Sequence, residues 1–142
     1  GNQRHQGFLS ALNDNNVNIP EELIFKGDYT YRKGYEGALS LLKQDLPFTA
    51  LFCGNDQSAM SAIAAITNKG FEVPNDISVI GYDDMNIASY TSPPLTTVRI
   101  PFNRMAISAT RRLLNLCYNL ELDIDYDFPI QLIERSSVKN MG

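Results

Sequence analysis

Two carboxylates stand side by side in "ISVIGYDDM", where Asp83 and Asp84 follow an apolar run of strand length. Paired acids can do acid–base chemistry, one donating a proton while the other accepts. Adjacent residues beyond a strand end point in different directions, however, and neither a candidate nucleophile nor a cluster of metal ligands accompanies them. Binding chemistry fits better. Two more polar signals have the same setting: Asp28 and Tyr29 after "ELIFKG", and Asn55 and Asp56 after "TALFCG". Amides, carboxylates and an aromatic, without a glycine-rich phosphate loop, suit a neutral polyhydroxylated ligand whose hydroxyls both donate and accept. Each residue also has a plainer role open to it. Asp56 reads as a helix cap, Asp83 or Asp84 as a turn residue and Tyr29 as a rim aromatic.

The elements that position these residues alternate along the chain. "QRHQGFLSALNDNN" places Phe8, Leu9 and Leu12 on one face of a helix over 3–13, and "ELIFKGD" predicts a short strand near 22–26. Tyr35, Ala38, Leu39 and Leu42 recur at helical spacing over 31–44, and "FTALFCG" is a continuous apolar run suited to a strand covered on both faces. "NDQSAMSAIAAITNKG" begins with N-cap candidates Asn55 and Asp56 and stops at Gly70, ahead of a strand at 77–81. Helix, strand, helix, strand, helix, strand predicts an α/β fold, a doubly wound parallel sheet with right-handed crossovers. Ligands bind such sheets at the carboxyl ends of the strands, where all three polar signals fall.

Pro93, Pro94 and Pro101 break the alternation, bounding an extended segment at 95–100. A helix follows, with Met105, Ala109, Leu113 and Leu116 on one stripe, and "FPIQLIERSSV" closes as an alternating strand.

A chain of 142 residues with 44% hydrophobic and 20% charged residues has the make-up of one soluble globular domain. Twelve basic residues against 16 acidic, for a net charge of −4, leave no basic surface for a polyphosphate, so any DNA contact must come from elsewhere. Cys53 and Cys117 are far apart in apolar segments and read as small buried hydrophobes, and the one histidine, His5, on a polar helix start, reads as solvated. No metal site and no cofactor are expected. No apolar stretch approaches membrane-spanning length, and "GNQRHQGF" lacks the apolar core of a signal peptide, which predicts a cytoplasmic location.

"RHQGFLSAL", "GDYTYRKGYEGALSLL", "PFTALFCGNDQSAMSAIAAITNKGFEVPNDISVIGYDDM" and "SPPLTTVRIPFNRMAISATRRLL" resemble, in order and spacing, the effector-binding core of the LacI/GalR family of bacterial transcriptional regulators. The resemblance implies a periplasmic-binding-protein-like fold of two lobes around a ligand cleft. Residues 1–94 would belong to the second lobe, 95–120 would be the crossover segment and a helix of the first lobe, and 121–142 would hold the return strand and tail. It further implies that a small-molecule effector, a sugar or related compound, controls DNA binding by a helix-turn-helix domain absent from this chain. Arg4, Tyr29, Asn55 and Asp83 match effector-contacting positions. Arg4 offers a fork of donors, Asp83 accepts from two hydroxyls, Asn55 does both, and Tyr29 can stack on a sugar ring. Asp84 is left as the turn residue. Met60, Ile63 and Tyr90 fall on the family's dimer surface, which predicts a symmetric homodimer. The competing expectation is a sugar-binding protein of a transport system, which shares the architecture; an enzyme ranks below both.

Overall fold

Asn55 and the apolar run after it decide where the core forms. In the structure, a computed structural model describing residues 2–140, Asn55 caps a helix and six of that helix's side chains are buried. The helices are α1 (Asn2–Asp14), α2 (Tyr31–Leu41), α3 (Asp56–Asn68) and α4 (Phe102–Tyr118), and the strands are β1 (Ala50–Phe52), β2 (Ser78–Ile80), β3 (Thr97–Arg99) and β4 (Gln131–Ile133). Single 3-10 turns lie at Glu21–Leu23 and Asn86–Tyr90. Among the described residues, no helix is long and apolar enough to cross a membrane.

β1 and β2 pair in parallel, Leu51 opposite Val79, and α3 connects them. Ala59, Ala62, Ala65 and Ile66 of α3 close against Ile77, Val79 and Leu95 to make one apolar core. Burying a side chain such as Ile66 or Leu95 contributes about 1.5–3 kcal/mol. α2 lies on α3, and Gly34 permits the approach: a Cβ there would meet the Ser58 backbone at 2.5 Å. Beyond β2 the parallel order continues through bridges Ile80↔Thr96 and Asp83↔Arg99. The segment at 96–99 is therefore shared, because β3 also pairs antiparallel with β4, Val98 opposite Leu132. The extended segment predicted at 95–100 is thus a seam between two ladders.

Two expectations need correction. Residues near 22–26 form no strand: Glu21–Leu23 is a 3-10 turn, and Ile24 continues in extended conformation without a ladder. A groove of about 620 Å³, lined by Phe8, Leu23, Phe25, Gly37, Leu51 and Phe52 among others, separates this segment from β1. A strand needs a neighbour within about 4.8 Å to pair, and the groove removes it. Cys117, expected to be buried, is exposed, because α4 buries only Ser108 and leaves most of its apolar stripe in solvent. Ile63 is 5% exposed, packs in the apolar core and also lines a hollow beside Met60. His5 is exposed, as expected.

Past α4, Asn119 takes a left-handed conformation and turns the chain back along the helix. Arg104 pairs with Asp125, and Asn115 exchanges two hydrogen bonds of 2.9 Å with Leu122. These polar clips hold the return segment where apolar packing does not.

Candidate functional site

Arg4 lies in the first turns of α1 and reaches across to the end of β1. Its guanidinium donates to the Gly54 carbonyl and lies over two rings, 4.3 Å from the Tyr82 centroid and 5.6 Å from that of Tyr29. A guanidinium between aromatic faces gains cation–π attraction and keeps the rest of its fork of donors. Tyr29 is held by the turn around it. The Thr30 N–H and hydroxyl both donate to Asp28 Oδ1, at 3.1 and 2.6 Å, while Thr30 Oγ1 accepts from the Lys33 N–H and caps α2. Tyr29 itself sits at φ 69°, a conformation uncommon for a bulky residue, and its ring covers Gly54. A Cβ at Gly54 would come within 2.8 Å of that ring.

Asn55 connects the two. Its Oδ1 accepts from the Ser58 N–H at 3.0 Å, the cap of α3, and its Nδ2 donates to the Tyr29 carbonyl at 3.0 Å. One N–H and one lone pair of the amide remain for other partners. Asp83 completes the group from the end of β2. Its backbone N–H bonds to Val98 at 2.8 Å, whereas its half-buried carboxylate accepts no hydrogen bond among the described residues. Burial pushes this carboxyl above the ordinary range, Arg4 pulls it down, and Asp56 adds to the rise. The structure thus brings together Arg4, Tyr29, Asn55 and Asp83, each from a different segment.

Asp28 and Asp56 do other work. Asp28 shapes the surface turn. Asp56 is fully buried and faces inward, accepting from Thr97 Oγ1 at 2.5 Å and the Met85 N–H at 2.7 Å. Burial raises its pKa against the effect of those bonds. Asp84 is more than a turn residue: its carboxylate receives Arg99 Nε and Arg135 at 2.7 Å each. Burial would raise its pKa, but the bonds from Arg135 and Arg99 outweigh this and hold it below the usual carboxylate range.

Tyr82 was missed by the sequence reading, although it lies within "GYDD" and its ring is the nearer one to Arg4. An aromatic directly beyond an apolar strand was the available signal. Arg135 had none, being 51 residues from Asp84. The arrangement supplies donors, a carboxylate acceptor, an amide and two rings. The nearest thiol, Cys53, is buried and its pKa is pushed up to about 12, by burial first and Asp56 second. Among the described residues, no group of three or more His, Cys, Asp or Glu could hold a metal ion. Of the expected interface residues, Tyr90 is 82% exposed, and Met60 is half-buried at a hollow of about 270 Å³ that it shares with Thr67, Thr91 and Ser92.

Parallel strands ending in a polar cluster, with a crossing segment beside it, define an α/β ligand-binding core. Residues 1–138 match the model of the periplasmic binding protein-like domain. The chain belongs to that family, as an effector-binding core of the LacI/GalR type. It is 43% identical over 139 residues to the HTH-type transcriptional repressor PurR of Photorhabdus laumondii, an alignment covering 97% of this chain and 41% of the repressor. A LacI-family transcriptional regulator from Burkholderia phymatum superposes with a TM-score of 0.89 at 38% identity, covering 96% of this chain and 50% of that one. A sugar-binding LacI-family regulator from Escherichia coli, complexed with phosphate, gives 0.86 at 36% identity over 95% of this chain and 49% of that one. The chain therefore spans about two fifths to one half of the proteins it matches.

Proposed function

We propose that this chain is the ligand-binding and dimerisation part of a LacI/GalR-type transcriptional regulator that senses a small molecule of the sugar class. Residues 1–94 form its second lobe, 95–120 the crossover and a first-lobe helix, and 121–142 the return strand and tail. Operator DNA is bound in the cytoplasm by a helix-turn-helix domain outside these residues, in keeping with a net charge of −4 and no basic run here. Binding of the effector favours one lobe arrangement over another and so changes the affinity for DNA.

The observation that carries this reading is the placement of Arg4 over two tyrosine rings and near a carboxylate, Asp83, that is half-buried and accepts no hydrogen bond among the described residues. Such a pair can donate to and accept from adjacent hydroxyls while the Tyr29 ring covers an apolar sugar face. The reading is of binding rather than turnover, because the groups gathered here donate, accept and stack. Tyr90 and Met60 supply the exposed part of a two-fold interface.

Calorimetric titration with a panel of neutral mono- and disaccharides tests the reading. One of them is expected to bind, with Asp83→Asn and Arg4→Ala each weakening it roughly ten- to a hundredfold, since hydrogen bonds to charged groups contribute about 1.5–3 kcal/mol. Melting temperatures should change little. Unaltered affinity in both variants would remove these residues from the site, and turnover of a bound sugar would move the reading to an enzyme.

A further inference from the structure

The two adjacent carboxylates have opposite surroundings. The Asp83 carboxylate accepts no hydrogen bond among the described residues, while the Asp84 side chain is 7% exposed and takes two guanidinium donors. Those donors come from different strands: Arg99 ends β3, and Arg135 lies two residues beyond β4. Arg135 is itself fixed. Its second guanidinium nitrogen donates to the Leu95 carbonyl at 2.7 Å, and its backbone N–H donates to Thr96 Oγ1 at 2.9 Å. Surface ion pairs contribute little, but a nearly buried carboxylate bridging two strands leaves two cations uncompensated when removed.

The backbone between these groups is strained. Asp83 has φ 118° and Asp84 has φ 54°, so two consecutive residues with side chains occupy the left-handed side of conformational space. Such conformations persist only where the surroundings over-determine them. Here the Asp83 N–H is bonded to Val98 at 2.8 Å, and the Ile100 N–H reaches the Asp83 carbonyl at 3.4 Å. β3 and β4 are also the segments by which the chain leaves for α4 and comes back.

We propose that Asp84 is a positioning residue: by holding Arg99 and Arg135 together, it sets the strained turn that presents Asp83 and ties the site to both crossing strands. Any movement of β3 relative to β2 is then felt at the Asp83 carboxylate, and occupancy at Asp83 is felt at the crossing. The value of this link for regulation rests on Asp83 belonging to the effector site, but the link itself is testable without ligand.

Amide hydrogen exchange, resolved residue by residue by NMR on the whole chain, reads it directly. Asp84→Asn is expected to speed exchange of the Asp83 and Ile100 N–H groups at least tenfold and to displace the Asp83 amide resonance. The Ser78 and Cys53 N–H groups, which bond to Thr49 and Ile80 at the ends of the β1–β2 ladder, should change less than about threefold. Arg99→Gln removes one half-exposed partner, remains folded if Asp84→Asn does not, and is expected to give the same local pattern at smaller amplitude. Equal acceleration at all four amides would make Asp84 a general stabiliser, and no acceleration at Asp83 would break the link; either overturns the proposal. Failure of every sugar to bind would leave this result standing and count against the effector reading alone.

Discussion

Helices α3 and α4 carry the same kind of message and meet different fates. Both have apolar residues at helical spacing, but the 13-residue α3 buries six side chains while the 17-residue α4 buries only Ser108. α3 has α2 against it, the parallel strands beneath it and the segment around Leu95 beside it. α4 has the returning segment, which is held by Arg104, Arg111 and Asn115 rather than by apolar contact. Periodicity therefore says which face of a helix is apolar and leaves open what will cover it. An exposed stripe of this kind, including Phe102, Met105, Leu113 and Leu116, is a surface suited to a partner.

The contrast is sharpest in core substitutions. Ile66→Ala, at a fully buried position of α3, is expected to lower unfolding free energy by about 2–5 kcal/mol in urea titrations. Leu113→Ala on the α4 stripe should stay within about 0.5 kcal/mol. Comparable losses at both sites would mean that α4 packs as tightly as α3. Smaller, at about 1–3 kcal/mol, is the expected effect of Asp56→Ala, which leaves the Met85 N–H and the Thr97 hydroxyl without their partner at the junction of the two regions.

Acid titration separates the two buried carboxylates by sign. Asp84 has a folded pKa below its unfolded value, so its contribution is complete above about pH 3.9 and is lost as pH falls through the folded value. For Asp56 the folded value is raised, so its contribution is complete below about pH 3.9 and is lost as pH rises through the folded value. The stability difference between wild type and Asp84→Asn should accordingly shrink on acidification, and that for Asp56→Asn on alkalinisation. The smallest perturbation is chemical labelling. A maleimide should modify Cys117 on α4 rapidly and Cys53 only on unfolding, because burial keeps the Cys53 thiol protonated and out of reach. Equal rates would erase the distinction between the two regions.

Much of the first region was legible because its signals are local. Asn55 and the apolar run after it gave α3, and strand-length runs ending in glycine gave β1 and β2 close to their observed places. That Tyr29, Asn55 and Asp83 would meet followed from the rule that loops converge at the carboxyl ends of parallel strands, whereas Arg4, and the choice of one residue from each polar pair, came from the family resemblance. What could not be read depends on distant partners. The segment after Leu23 has the composition of a strand but faces a groove, and Cys117 has a core residue's neighbours in sequence and solvent in space. Asp84 looked like a turn residue because nothing nearby announces Arg135.

Ser137 carries a consequence for how the chain comes into being. Its buried hydroxyl donates to the Val79 carbonyl at 2.6 Å and accepts from the Thr96 N–H at 2.8 Å, while its carbonyl takes the Val79 N–H at 2.8 Å. One edge of β2 thus stays open until a residue 58 positions later has been added. At about 5–20 residues per second, a ribosome needs roughly 3–12 s to get there. During that interval α2, α3 and the β1–β2 pair can assemble around their local contacts, but the seam at 95–99 has no second side. A nascent chain that has not yet reached Ser137 or the preceding Arg135 therefore holds the Arg4 and Tyr29 side of the candidate site but lacks the Arg135 contact at Asp84 beside the Asp83 turn, so the candidate site would be completed last.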